Sequence, residues 1–150
     1  EDLYHTGIVV DDYEGTLAQL TSLFGYQWGE EMRSTNPVTL ASGETVMLES
    51  AFCYSLNGPR LEIIRTNPGT VWEPSSSGVH HLGYWSDDVA ADSAAMTAAG
   101  YELELFGPGP DGVPMYAYHK HPTGPRLEIV TRLVKPMFDQ YWIDGKNPFA

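Results

Sequence analysis

The sequence predicts an α+β protein made of two tandem βαβββ modules, which together form an open, partly closed mixed β-barrel with the helices outside. Three observations carry this reading. A strand-like segment running into paired aspartates occurs twice, as Tyr4-His5-Thr6-Gly7-Ile8-Val9-Val10 before Asp11-Asp12 and as His80-His81-Leu82-Gly83-Tyr84-Trp85-Ser86 before Asp87-Asp88. Each is followed by a helical stretch closed by Gly-Tyr, at Gly25-Tyr26 and at Gly100-Tyr101. Each half then ends on Gly-Pro-Arg-Leu-Glu-Ile followed by Ile or Val, at 58–64 and at 124–130. Three matches in the same order mark an internal duplication, and a duplication dictates the architecture before any single element is assigned.

The elements follow in chain order. After each first strand, an Asp can accept hydrogen bonds from the free N–H groups of a helix start, and a Gly just past the helix end can take the left-handed conformation. In the first helix Leu17, Leu20, Leu23 and Phe24 are expected to share a buried face. The second, from about Asp88 to Ala99, offers a thin face of Ala91, Ala94, Ala95 and Ala98 that could sit close against a sheet. Two further strands are expected in each half, near Val38–Ala41 and Val46–Leu56, then near Glu102–Phe106 and Met115–Lys120. Ser42-Gly43-Glu44 and the Gly-Pro-Gly-Pro-Asp-Gly run from Gly107 to Gly112 connect them. The chain therefore divides into a first module at 1–66, a linker at 67–77, a second module at 78–132 and a tail at 133–150, within one structural domain. Phe138, Tyr141, Trp142 and Phe149 in the tail are expected to dock on this subunit or on a partner, because exposed they would be an aggregation liability.

Composition narrows the function. Eight Lys and Arg against twenty Asp and Glu give a formal charge of −12, which repels a phosphate backbone, so no nucleic-acid partner is expected. No apolar run approaches the roughly 18 residues a membrane-spanning helix needs, so no membrane partner is expected. The single cysteine, Cys53, excludes an internal disulfide and fits a reducing compartment, which points to the cytoplasm.

The repeat also places chemistry. Side chains alternate across a strand, so His5, Gly7 and Val9 share one face while Thr6 and Ile8 share the other. If Leu61 and Ile63 pack under the helix, Arg60, Glu62 and Ile64 face the other way, and Arg126, Glu128 and Val130 follow the same rule. His5, Glu62, His81 and Glu128 then line one concave face from four strands. Two imidazoles and two carboxylates suit one divalent ion such as Ni, Co, Mn, Fe or Zn, with coordination positions left for water or substrate. Gly7 and Gly83, on the same face as each His, would leave room for a substrate, and Trp85, on the face of His81, is the expected pocket wall. His80, His119 and His121 read as ordinary hydrogen-bonded histidines, and the two Arg-Leu-Glu stretches could instead be solvent-facing salt-bridge pairs.

Paired βαβββ modules with His on the first strand and Glu on the last resemble the vicinal oxygen chelate superfamily, which takes in glyoxalase I, methylmalonyl-CoA epimerase, extradiol dioxygenases and bleomycin-binding proteins. The resemblance spans residues 3–132. The His, Glu, His, Glu order is similar to the metal set of bacterial glyoxalase I, and the His80-His81 doublet is similar to the epimerase branch, which usually carries Gln where this chain has Glu62. The resemblance implies a metal-dependent isomerase, epimerase or lyase that removes a proton beside a chelated carbonyl of a small-molecule substrate and stabilises the resulting enolate. Glu128 first and Glu62 second are the expected bases. It also implies two rivals. One is an Fe(II) extradiol-type dioxygenase using His5, His81 and Glu128, with His119 or His121 as acid/base; the other is a non-catalytic protein binding an aromatic drug or metabolite. A homodimer is expected, with modules pairing within one chain or across two.

Overall fold

Local capping chemistry sets both repeat helices. In the computed structural model, which describes residues 2–150, strand β1 (Leu3–Val10) leads into helix α1 (Tyr13–Phe24). Asp12 caps that helix by accepting from the Gly15 N–H at 3.0 Å, and Gly25 ends it in the left-handed region at φ 74°. The second half repeats the device: after β5 (His81–Ser86), Asp88 accepts from the Ala91 N–H at 3.0 Å to start α2 (Val89–Ala98), and Gly100 follows at φ 97°. Three strands come after each helix. They are β2 (Met32–Leu40), β3 (Thr45–Tyr54) and β4 (Leu61–Arg65) in the first half, and β6 (Glu102–Pro108), β7 (Pro114–Lys120) and β8 (Leu127–Thr131) in the second. The chain closes with α3 (Lys135–Asp144). The α+β class and the doubled βαβββ order are as the sequence predicts. Hydrogen-bonded neighbours run β1-β4-β3-β2-β6-β7-β8-β5, an order that fits the expected mixed barrel.

Two compact units are present. One holds residues 5–34, 49–80 and 134–150. In it β1 runs parallel to β4, with Gly7 opposite Glu62, and β3 runs antiparallel to β4, with Tyr54 opposite Glu62. Tyr13, Cys53 and Ile63 form its buried centre, with Ile8, Val10, Leu17, Leu20, Trp28 and Leu61 packed around them. Burial pushes the Cys53 thiol up to about 11, so it stays protonated in this core. Leu23 and Phe24 do not join it: they are 63% and 71% exposed, contrary to expectation. The turn at Gly25 brings Trp28 back, and its Nε1–H donates to Leu17 O at 3.2 Å and Thr21 Oγ1 at 3.0 Å. Trp28, rather than the last helical turn, fills that end of the core.

The other unit holds the residues up to Tyr4, Thr35–Leu48 and His81–Leu133. Here β5 runs parallel to β8, with Gly83 opposite Glu128, while β7 pairs antiparallel with both β8 and β6. The outer end of β2 adds to β6 at Thr39–Phe106 and Leu40–Leu105. Val89, Ala117 and Ile129 are its buried centre, with Tyr84, Met96, Leu103 and Phe106 against them. Helix α2 presents Val89, Ser93 and Met96 to the sheet, and the four expected alanines are exposed. The larger side chains take the inward stripe, and Ser93 joins them because its hydroxyl meets His119 Nε2 at 2.8 Å.

Strand β2 begins at Met32, six residues before the expected start; its exposed stretch from Arg33 to Pro37 carries no alternating apolar signal. The Gly-Pro run is shorter than a loop, because β6 continues to Pro108 and a single turn at Pro110–Gly112 returns the chain, with Gly109 N–H donating to Val113 O at 2.6 Å. In the tail, α3 buries Phe138 and Tyr141 in the first unit. The Tyr141 hydroxyl donates to Glu30 O at 2.8 Å and accepts from Tyr54 N–H at 3.3 Å, and Gly29 lies against its ring with no room for a Cβ. Trp142 covers the Arg60 guanidinium at 4.2 Å. Phe149 meets Phe138 edge-on at 6.3 Å and stays 60% exposed. Among the described residues, no helix is long and apolar enough to cross a membrane.

Two outcomes follow. Replacing Tyr141 by Phe removes a hydroxyl that bridges two backbone groups and is expected to lower the unfolding free energy by about 1–2 kcal/mol; Tyr141→Ala is expected to cost about 3–5 kcal/mol. Denaturant titration reads both, and a Phe variant equal to wild type would show the bridge to be dispensable. Burial lowers the His119 pKa from its ordinary 6.5, so the folded state holds a neutral ring. Its contribution to stability is present above pH 6.5 and is lost as the pH falls through the lowered folded value. The melting temperature of His119→Gln should therefore fall less steeply below that pH than that of wild type.

Candidate metal centre

Parallel pairing of the first and last strand in each module sets a His beside a Glu. In the first unit Gly7 is opposite Glu62, so His5, two residues earlier on β1, is within reach of the long Glu62 side chain. His5 Nε2 and Glu62 Oε2 are 3.0 Å apart, and both residues are buried. The second unit repeats this through Gly83 and Glu128: His81 Nε2 and Glu128 Oε2 are 3.1 Å apart, and both are buried. The bland reading of the Arg-Leu-Glu stretches as solvent-facing pairs is thereby overturned for the glutamates. The arginines have other roles. Arg60 donates from Nη1 to Ser55 O at 2.7 Å, and Arg126 pairs with Glu104 through Nε at 2.6 Å and Nη2 at 3.2 Å.

Each pair has an aromatic neighbour. Tyr54 is opposite Glu62, and its ring meets the His5 ring edge-on at 5.4 Å. Tyr118 is opposite Glu128 and meets His81 edge-on at 5.1 Å. Both tyrosines follow a small buried residue, Cys53 or Ala117, that faces a helix. That shared step is the available sequence signal, but the stretch from Tyr to Glu is two residues longer in the second half, which hides the match. The next residue on the same strand face differs: Phe52, opposite Ile64, in one unit, and Tyr116, opposite Val130, in the other. Burial, with the Glu128 charge adding to it, holds the Tyr116 hydroxyl well above the usual phenol range, so it stays protonated.

The other histidines lie elsewhere. His80 Nε2 is 2.7 Å from Val71 O, and its backbone N–H donates to Gly7 O at 2.8 Å, which anchors the linker. His119 is turned to α2 by Ser93, which contradicts the acid/base role it would have in a dioxygenase. His121 packs beside Tyr101, with Nδ1 accepting from Thr123 N–H at 3.2 Å. Trp85 is buried, and Tyr4 stacks on its indole at 3.8 Å.

His5, Glu62, His81 and Glu128 are buried side chains of ligand type and could hold a metal ion. The donor set fits such an ion chemically. Imidazole nitrogen and carboxylate oxygen suit borderline divalent cations, and removing two carboxylates from water costs several kcal/mol each, a cost that a cation offsets.

Comparison with known proteins bears on the family and the fold. The family profile of the Glyoxalase/Bleomycin resistance protein/Dioxygenase superfamily matches residues 4–116. A protein of Bacillus subtilis (strain 168), the uncharacterized protein YwbC, is 28% identical over 130 residues, covering 85% of this chain and 95% of that one. Among solved structures, Streptomyces coelicolor methylmalonyl-CoA epimerase in complex with 2-nitronate-propionyl-CoA is similar at TM-score 0.56 and 18% identity, over 87% of this chain and 96% of that one. Methylmalonyl-CoA epimerase from Mycobacterium tuberculosis is similar at TM-score 0.52 and 16% identity, over 87% of each chain. At these identities the structural likeness shows the fold.

Proposed function

The chain belongs to the glyoxalase/bleomycin resistance protein/dioxygenase superfamily, and from that premise we propose that it is a divalent-metal-dependent isomerase, epimerase or lyase that removes a proton next to a carbonyl of a small molecule. One observation carries the reading: the same buried His–Glu pair, with Nε2 and Oε2 at 3.0 and 3.1 Å, is built twice on the same strand register. His5, Glu62, His81 and Glu128 would together hold one ion of Ni, Co, Mn, Fe or Zn. When bound, the ion would act as a Lewis acid toward two neighbouring oxygens of the substrate, easing loss of the adjacent proton.

The chain's own residues would do the rest. Glu128 is the preferred base and Glu62 the second, since each carboxylate is held in place by strand pairing and shielded from water by burial. The preference for Glu128 is supported by the phenol of Tyr116 on the strand beside it, whereas Phe52 holds the matching place on the strand beside Glu62. Gly7 and Gly83 would leave space beside the two carboxylates, and Trp85, on the strand face of His81, would form one wall. The similar epimerases act on methylmalonyl-CoA by name; here, few cations and a charge of −12 favour a smaller carbonyl compound. The proposal includes a homodimer in the cytoplasm, the latter resting on the lone, buried, reduced Cys53.

Metal analysis after purification without chelator is expected to find close to one divalent ion per chain, lost in both His5→Ala and His81→Ala. A wild-type protein that takes up no ion, and binds an aromatic compound unchanged, would replace this reading with that of a binding protein. Across a panel of enolisable carbonyl compounds, Glu128→Gln is expected to cut turnover by about 10³-fold while changing ligand affinity far less. Unchanged turnover would remove Glu128 as the base.

A further inference from the structure

The two half-sites are copies in their strands, histidines, glutamates and inner tyrosines, so the place where they differ is informative. On β3 the face that carries Tyr54 continues to Phe52; on β7 the face that carries Tyr118 continues to Tyr116. The rings are arranged alike, with Phe52 edge-on to Tyr54 at 5.8 Å and Tyr116 edge-on to Tyr118 at 6.1 Å. The second half-site therefore carries a hydroxyl that the first lacks.

That hydroxyl is held ready. Gly107 is opposite Tyr116, and its backbone lies against the phenol ring so closely that a Cβ would not fit. The ring is thus braced from β6 and directed by β7. Among the described residues no protein group hydrogen-bonds the Tyr116 hydroxyl, and on this half-buried residue the hydroxyl is not sealed from solvent. A half-buried phenol that no protein group engages can exchange its water for an acceptor on a ligand. A phenol is protonated at neutral pH, so it can serve as a donor.

We propose that Tyr116 is a specificity-determining residue that donates a hydrogen bond to a carbonyl or carboxylate oxygen of the bound substrate. The inference rests on the metal-centre reading above and deepens it. A single donor in an otherwise duplicated site makes one orientation of the substrate better than its reverse, and places the proton to be lost on the side of Glu128 rather than Glu62. The substrate class is accordingly a small molecule with two neighbouring oxygens for the ion and an acceptor oxygen on the Tyr116 side.

The test uses the whole chain loaded with Ni²⁺, with metal content measured separately, and acetohydroxamate, a small chelator with two neighbouring oxygens, as the probe. Calorimetric titration of wild type and Tyr116→Phe is the first readout; the tyrosine ultraviolet difference spectrum on adding the probe is the second. The Phe variant keeps the ring that packs on Gly107, and is expected to hold the same metal content and melting temperature. It should bind the probe about tenfold more weakly, the loss of one hydrogen bond of about 1.4 kcal/mol, and lose the phenol difference signal. Equal affinity and an unchanged difference spectrum in Tyr116→Phe, with metal retained, would overturn the role of Tyr116 alone. A wild type that takes up no Ni²⁺ would overturn the metal-centre reading and this inference with it, whereas one that takes up Ni²⁺ and ignores the probe would overturn this inference and leave the metal centre standing.

Discussion

Parallel pairing between the first and last strand of each module is the constraint on which the rest depends. Parallel neighbours cannot be joined by a tight turn, so a helix and two strands must intervene, and the βαβββ module is the result. The same pairing settles the register that puts Gly7 opposite Glu62 and Gly83 opposite Glu128. In a register one residue away each Glu would face the helix, where Ile63 and Ile129 now pack, and each His–Glu pair would be lost. The core and the candidate site are thus two faces of one pairing decision.

Burial makes that decision consequential. A Glu placed 6% or 8% exposed beside a buried imidazole has given up most of its water. The helix-facing clusters around Ile63 and Ile129 hold the strands on which these carboxylates sit, so the free energy of apolar burial offsets the cost of the polar face. In the first unit the tail helix adds to this support. Phe138, Tyr141 and Trp142 surround Tyr54, which in turn packs edge-on against His5. A segment outside the repeat therefore reaches the candidate site through one tyrosine.

Duplication supplies the frame, and the departures from it supply direction. Arg60 lies under Trp142 while Arg126 pairs with Glu104, and Phe52 stands where the second half has Tyr116. Two equal halves would offer a substrate two equivalent carboxylates. The differences make the surroundings of the two carboxylates unequal.

The sequence by itself determined the doubled βαβββ order, both helix starts at Asp12 and Asp88, and the identity of the two buried His–Glu pairs. Each of these rests on a local pattern, either a cap or period-2 alternation, reinforced by its second copy. Only the tertiary structure decided which tyrosines stand beside the histidines, because the Tyr-to-Glu connection differs in length between the halves and conceals their equivalence. It alone decided that Leu23 and Phe24 lie outside the core while Trp28 lies within it, since that depends on where the chain returns after Gly25. The inward stripe of α2 likewise depends on a partner distant in sequence, His119, which makes Ser93 a better inward residue than the alanines around it. Local chemistry is written in neighbouring residues; the choice of what each face meets is made by residues far along the chain.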